Sequence, residues 1–206
     1  MKIFLIACNE LSNNIVFTNE TDIELKKKYR TLNPKGDMIS KKIAKMDELE
    51  GVEAIYCDMS FSSIELAKNL AYEKDLLINV NKKIYDCRIG NLEGKSIKML
   101  SYFQERNFDF KLEKGESLNE CSKRITTFID EVLDDGYNQV AVFMPKRCIM
   151  AYLIHHTDIG YNLDESLVLS QNEKVILDNT GQLCNIYEIT YKDKKFDKIK
   201  NLSINS

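Results

Sequence analysis

The sequence predicts a single α/β domain of three layers, in which helices cover both faces of a mainly parallel central sheet. Two observations predict this fold class. Short continuous apolar runs, typical of strands buried on both faces, alternate with longer segments whose apolar residues recur at helical spacing. Each apolar run also ends in a polar loop before the next helix begins, which is the order of βαβ units. A chain of 206 residues fits one such domain, residues 1–206.

Three apolar runs in the first half of the chain predict strands at residues 2–7, 53–57 and 77–80. A first helix has Asn33 as its N-cap and Pro34 at its first position, and its apolar stripe predicts an end near Gly51. A second helix presents one apolar face, formed by Ile64, Ala67 and Leu70. Residues 84–96, which are interrupted by glycines, predict a loop.

The clearest helix prediction lies in the second half of the chain, at residues 117–134. Ser117 and Glu120 have the spacing of a capping box, and apolar residues follow at helical spacing. A last helix is predicted to begin near Cys148 and to contain His155 and His156. The remaining strands are predicted at residues 140–144, 184–191 and 199–204.

Composition argues against several classes of partner. The formal net charge of −3 gives no basic surface for nucleic acid. The opening apolar run is much shorter than the roughly 18 residues of a membrane span and lacks a cleavage-site pattern, so we expect no membrane partner. The six cysteines form no CxxC pair and mostly lie in apolar runs, which predicts reduced, buried thiols in a cytoplasmic protein.

The sequence predicts neither a metal site nor a cofactor. His155 and His156 are adjacent, and neighbouring helical residues point in different directions, so we expect structural or surface roles for both. The spacing from Cys148 to His155 matches no standard zinc site. The loops after the predicted strands contain no glycine-rich phosphate loop and no nucleophile elbow. Cys8 is not followed by the arginine of a CxxxxxR phosphatase loop.

Three loops are expected to meet at one edge of the sheet, because ligands of parallel α/β sheets bind where the carboxyl ends of the strands open into a crevice. These loops are residues 8–10, 58–62 and 145–147. Together with neighbouring segments they contain motifs in a characteristic order. The motifs are Leu-Ile-Ala-Cys-Asn-Glu at 5–10 with Asn14 beyond it, Leu-Asn-Pro-Lys-Gly at 32–36, Ser-Ser at 62–63, Asp-Cys-Arg-Ile-Gly-Asn-Leu-Glu-Gly at 86–94, Gly-Glu-Ser at 115–117 and Met-Pro-Lys-Arg at 144–147.

In order and spacing these motifs resemble the histidine phosphatase (phosphoglycerate-mutase-like) family across nearly the whole chain. The resemblance implies that family's fold and, in its active members, transfer of a phosphoryl group to a histidine. Two arginines and a second histidine hold the phosphate oxygens there, and a carboxylic acid protonates the leaving group. The matching positions in this chain are Cys8 for the nucleophile, Ala7 and Ser62 for the arginines, Pro145 for the second histidine and Asp86 for the acid.

Our first hypothesis is therefore a pseudophosphatase, since phosphoryl transfer depends on positioning and on positive charge around the phosphate. Its crevice would bind a small phosphorylated or anionic ligand, or a protein partner. Candidate ligand-binding residues are Cys8, Asn9, Asn14, Ser62, Asp86, Lys146 and Arg147.

Two alternatives remain open from the sequence. One is an active phosphomonoesterase with a rebuilt site, in which Cys8 is the nucleophile, Asp86 the acid, and Lys146 with Arg147 bind the anion. The other is a protein that acts through its surface on the same fold. Specificity in the family resides in variable insertions, which correspond here to residues 11–31 and 95–114. For the aromatic residues of the second insertion we expect a role in core or lid packing. The family favours a homodimer only weakly.

Overall fold

The computed structural model describes residues 1–8, 31–92, 96–178 and 182–205. Its helices are α1 (Pro34–Ile43), α2 (Phe61–Lys74), α3 (Ile97–Arg106), α4 (Leu118–Asp134) and α5 (Lys146–Leu153). Its strands are β1 (Lys2–Cys8), β2 (Ala54–Cys57), β3 (Ile78–Val80), β4 (Gln139–Phe143), β5 (Asp158–Tyr161), β6 (Leu167–Gln171), β7 (Lys174–Leu177), β8 (Gln182–Lys192), β9 (Lys195–Asn201) and β10 (Ile204–Asn205).

A seven-stranded sheet forms the centre of the fold, in the order β10–β8–β1–β4–β2–β3, with β9 also beside β8. Parallel pairing joins β1 to β4, β4 to β2 and β2 to β3. The C-terminal strands are antiparallel, because β8 pairs with β1, and β9 and β10 pair with β8. The predicted central sheet is thus confirmed as mainly parallel, with an antiparallel extension on one side.

Strand β1 lies between two layers of helices. Ile3 and Leu5 belong to the core formed with α4 and α5, whereas Phe4 and Ile6 belong to the core formed with α1 and α2. Successive strand residues point to opposite faces, so a strand covered on both sides requires an apolar residue at each position. This requirement explains the continuous apolar run at the start of the sequence and confirms the predicted three-layer arrangement.

The predicted helix starts are present. The Asn33 side chain accepts a hydrogen bond from the Gly36 amide at 2.8 Å, and Pro34 occupies the first turn of α1. The capping box of α4 is complete, since Ser117 Oγ accepts from the Glu120 amide at 3.1 Å and the Glu120 carboxylate accepts from the Ser117 amide at 3.0 Å. Such caps satisfy backbone groups that a helix terminus leaves unpaired.

Helix α1 ends earlier than the sequence predicts. It stops at Ile43, and a 3₁₀ turn at Asp47–Leu49 follows. Leu49 is fully buried in the same core as Ile39 and Ile43. Because Met46 continues the helical spacing of Ile39 and Ile43 and packs against the same core, the apolar pattern alone cannot indicate where the helix stops.

The prediction that the last helix contains both histidines is wrong. Helix α5 ends at Leu153, and His155 and His156 lie in the turn that follows. The His156 ring stacks on Phe196 with ring centres 4.6 Å apart and also contacts Tyr152. Burial, with a smaller contribution from the charge of His155, lowers the pKa of His156. The aromatic contacts, rather than a helical turn, position this ring.

A second, three-stranded antiparallel sheet of β5, β6 and β7 was not predicted. Its strands contain four or five residues each, and three of the four residues of β5 are exposed. Short exposed strands lack the apolar alternation on which a sequence prediction depends. Within the described ranges, no helix has the length and apolar character needed to cross a membrane.

Candidate functional site

The ends of three strands meet at one edge of the central sheet. Phe143 of β4 is in register with Ile6 of β1 on one side and with Cys57 of β2 on the other. Backbone hydrogen bonds continue this alignment by one residue, from the Met144 amide to the Ile6 carbonyl at 3.0 Å and from the Asp58 amide to the Phe143 carbonyl at 3.1 Å. Residues that follow these strands therefore lie side by side, which is the crevice expected of a parallel sheet.

Asp58 forms the buried part of this edge and has no exposed surface. Its Oδ1 accepts hydrogen bonds from Ser60 Oγ at 2.6 Å and from the Ser60 amide at 3.2 Å. Its Oδ2 is buried without a hydrogen-bond partner among the described residues. Burial is the main cause that raises the pKa of Asp58, and the negative charge of Asp86 contributes in the same direction. The sequence predicts this loop at the crevice, but it gives no signal that distinguishes Asp58 from the rest of the loop.

Asp58→Asn is expected to stabilise the protein at neutral pH. A raised pKa in the folded state means that the protonated carboxyl stabilises the fold at low pH, and that this contribution is lost as the pH rises through the folded pKa. Asparagine keeps the shape and the Oδ1 acceptor without the charge, so we expect a gain of about 1 to 3 kcal/mol at pH 7. Thermal unfolding between pH 4 and pH 8 measures the difference, which should shrink towards pH 4.

The exposed residue Asp47 provides the control for this experiment. Asp47→Asn removes the same charge from a solvated position and should change the stability by less than about 0.5 kcal/mol. A destabilised Asp58→Asn variant at pH 7 would contradict the interpretation that Asp58 is a buried, poorly compensated carboxylate.

The two positions that the sequence predicts to match the family's arginines are both uncharged and largely buried. Ala7 is 3% exposed, and Ser62 in the first turn of α2 is 8% exposed. Ser62 Oγ lies 3.3 Å from Ser60 Oγ, so it belongs to the hydroxyl cluster around Asp58. Neither side chain can supply positive charge to a phosphate.

Asp86 lies on the loop between β3 and α3, close enough to Asp58 to act on its titration. Its Oδ1 accepts a hydrogen bond from the Cys87 amide at 2.9 Å. Hydrogen bonds hold this loop against α4, since Arg124 of that helix donates to the carbonyls of Lys83 and Tyr85. The predicted acid position is thus held near the edge of the sheet where Asp58 lies.

Pro145 and the cations that follow it form the third side of the crevice. Pro145 is the N-cap of α5 and makes no side-chain capping bond. Lys146 Nζ lies 3.5 Å from the Asp178 carbonyl, and burial lowers the pKa of this lysine. Arg147 donates to Ser101 Oγ of α3 at 3.3 Å, and its Nε is buried with no partner in the part of the chain that the structure describes.

Three predicted positions lie partly or wholly outside the described residues. The Cys8 backbone pairs with Cys184 of β8 at the end of β1. The side chain of Cys8, and both Asn9 and Asn14, fall outside the residues that the structure describes.

An apolar pocket lies next to helix α3. It has a volume of about 140 Å³ and is lined by Met99, Leu100, Phe103, Phe110 and Leu112. The rings of Phe103 and Phe110 are 5.2 Å apart, whereas Phe108 packs against the main core. Phe103 and Phe110 thus line the pocket and Phe108 packs against the core, whereas Tyr102 is exposed and lies beneath the Arg106 guanidinium.

Comparison with protein families matches residues 13–196 to the histidine phosphatase superfamily, branch 1. The matched range begins after β1, so it does not include Ala7 or Cys8. No curated protein sequence matches the chain.

Several solved structures superpose on the whole chain at low sequence identity. The mycobacterial glucosyl-3-phosphoglycerate phosphatase has a TM-score of 0.67 at 9% identity, over 100% of this chain and 98% of that chain. YhfR of Bacillus stearothermophilus has a TM-score of 0.65 at 14% identity, over 100% and 98%. The α-ribazole phosphatase of Shigella flexneri has a TM-score of 0.63 at 11% identity, over 100% and 96%. With this shared fold and a family match over most of its length, the chain belongs to the histidine phosphatase superfamily.

Proposed function

We propose that this chain is a pseudophosphatase that uses its crevice to bind an anionic ligand without transferring a phosphoryl group. The observation that carries the proposal is the set of side chains at the carboxyl edge of β1 and β2. From the order of the sequence motifs we match Ala7 and Ser62 to the family's two arginines, and both side chains are uncharged. We match Pro145 to the second histidine, and proline has neither an imidazole nor a backbone N–H.

The charge at this edge also opposes phosphoryl transfer. In this reaction, cations neutralise the charge that spreads over the phosphoryl oxygens, and one arginine can contribute about 10³- to 10⁵-fold in rate. In this chain the same edge contains the buried carboxyl Asp58 with Asp86 nearby. A phosphoryl group placed against β1 and β2 would lie near the buried Asp58 carboxyl and would lack the two arginines of the active enzymes.

The side of the crevice formed by Lys146 and Arg147 favours anion binding. Lys146 and Arg147 form the first turn of α5, where free backbone N–H groups and the helix dipole attract negative charge. Neither side chain forms an ion pair with another described residue. The buried Nε of Arg147 is a donor without a protein acceptor among these residues. An anion bound here is held by two cations but has no described nucleophile beside it.

Turnover of an aryl phosphate by the purified protein tests the loss of catalysis. We expect no hydrolysis above the buffer rate, because the positions that stabilise the transition state are changed. Hydrolysis that disappears in Cys8→Ala and Asp86→Asn variants would overturn the proposal and support the rebuilt phosphatase instead.

Thermal unfolding in the presence of inorganic phosphate tests whether Lys146 and Arg147 bind an anion. A ligand that binds only the folded state raises Tm, by an amount equivalent to about 2.7 kcal/mol at one hundred times Kd. The shift should disappear when Lys146→Gln and Arg147→Gln are combined. The matched control combines Lys42→Gln and Lys45→Gln, which remove two exposed charges from another helix end and should leave the shift unchanged. A wild-type protein indifferent to phosphate, sulfate and vanadate would overturn anion binding and favour a surface role.

A further inference from the structure

Three cysteines that are distant in the sequence meet in the core beneath the crevice. Cys87 comes from the loop after Asp86, Cys121 from α4 and Cys148 from α5. Their sulfur atoms all lie within 4.8 Å of one another. The proposed function does not use these thiols, and no two of them are close enough in sequence to form a recognisable metal-binding motif.

The sulfur separations fit coordination of one metal ion. Cys121 Sγ and Cys148 Sγ are 3.8 Å apart, far beyond the roughly 2.05 Å of a disulfide bond. Two thiolates bound to one metal at about 2.3 Å are separated by roughly 3.8 to 4.0 Å in tetrahedral or trigonal geometry. The pair therefore already stands at the distance that a shared metal requires, and Cys87 lies within a small adjustment of it.

The surroundings restrict which metal would be bound. Cys121 and Cys148 have no exposed surface and Cys87 is 2% exposed, so all three lie inside the main core. Among the described residues, no histidine, carboxylate or fourth cysteine joins the group. Structural zinc almost always takes four ligands, whereas soft thiolates without a fourth ligand suit monovalent copper.

The Arg124 guanidinium, which is paired with Glu116, also contacts one of the sulfurs. Arg124 Nη2 donates to Cys121 Sγ at 3.5 Å. Metal binds the thiolate form of cysteine, so each sulfur releases its proton to solvent when its bond to the ion forms.

We propose that Cys87, Cys121 and Cys148 form a closed three-thiolate site for a single monovalent copper ion. The bound ion would join the loop next to Asp86 to both α4 and α5. Because the sulfurs are shielded from solvent, uptake requires outward movement of this loop or takes place as the chain folds. The three cysteines do not include the proposed anion-binding residues Lys146 and Arg147. Metal binding and anion binding can therefore fail independently.

Titration of the reduced, full-length protein with Cu(I) under anaerobic conditions tests this site, against a chromophoric Cu(I) chelator as competitor. The metal is added both to folded protein and during refolding. We expect one Cu(I) per chain, and a rise in Tm of about 8 to 16 °C at a free metal concentration one thousand times Kd. X-ray absorption of the loaded wild-type protein should show about three sulfur neighbours near 2.3 Å.

Serine substitutions separate the cluster from the other buried thiols. Cys87→Ser, Cys121→Ser and Cys148→Ser should each weaken Cu(I) binding by at least about 100-fold. Cys57→Ser and Cys184→Ser are matched controls, because both remove fully buried thiols outside the cluster and should retain the wild-type affinity. The absorption measurement needs no variant, so it decides the question even if a substitution prevents folding. Absence of binding, fewer than three sulfur neighbours, or binding of Zn(II) but not of Cu(I) would overturn the proposal.

Discussion

Gly90→Ala is expected to lower the free energy of unfolding by about 2 to 5 kcal/mol, through left-handed backbone strain and overpacking. Gly90 has a φ of +78°, and a Cβ built there would lie 2.5 Å from both the Glu113 carbonyl oxygen and the Gly115 nitrogen. These are backbone atoms of a neighbouring loop, so no side-chain rotation can relieve the contact. The two loops are also joined by a hydrogen bond from the Asn91 amide to the Glu113 carbonyl at 2.9 Å.

Gly136→Ala measures the conformational part of this effect alone. Gly136 has a φ of +80°, nearly the same as Gly90, but among the described residues no atom lies within 4 Å of the position of its Cβ. It should therefore show only the conformational cost, about 1 to 2 kcal/mol. Urea unfolding of both variants measures the difference at equal m-value. Equal losses for the two variants would show that the close approach of the loops does not limit stability.

Arg124→Leu is expected to cost about 3 to 5 kcal/mol, because it leaves a buried carboxylate without its partner. Arg124 Nε and Nη2 contact the two oxygens of Glu116 at 3.0 and 2.7 Å, and the Glu116 side chain is only 5% exposed. The same guanidinium donates to the carbonyls of Lys83 and Tyr85. The substitution therefore unpairs a charge and releases the loop that leads to Asp86.

A solvent-exposed ion pair provides the comparison for Arg124. Lys194 and Asp134 are 2.6 Å apart with side chains 65% and 70% exposed, and Lys194→Leu should cost less than about 1 kcal/mol. The double variant Glu116→Leu with Arg124→Leu should recover part of the loss, since no unpaired charge remains. Denaturant unfolding of the wild-type protein, the two single variants and the double variant measures these changes in the free energy of unfolding. Similar losses of unfolding free energy for Arg124→Leu and Lys194→Leu would show that the buried Arg124–Glu116 pair stabilises the fold no more than an exposed ion pair does.

The central layers could be predicted because their pattern is local. A strand covered on both faces has to be apolar at successive positions, and β1 and β4 satisfy this rule without reference to the rest of the chain. The capping box at Ser117 and Glu120 is equally local. Predictions were wrong or missing where tertiary contacts decide the structure, as at the end of α5, where the His156 ring packs on Phe196 from β9.

Only those features of the candidate site that depend on the order of the strands could be predicted from the sequence. Loops that follow parallel strands meet at one edge, so Asp58, Ser62 and Pro145 were placed there from the sequence. The sequence carries no comparable signal for the cysteine cluster, because Cys87, Cys121 and Cys148 come from a loop and two helices that only the packed fold brings together. The isolated Oδ2 of Asp58 is likewise a property of packing, since the same residue in an open loop would be solvated.

The pairing of β1 has a consequence for synthesis of the protein. Of the described strands, β1 is translated earliest, yet its neighbours are β4, which begins at Gln139, and β8, which begins at Gln182. Until both have been translated, an apolar strand with unpaired N–H and C=O groups is exposed on the nascent chain. We expect chains that terminate before Gln182 to aggregate rather than to fold, and chaperones to associate with them during translation.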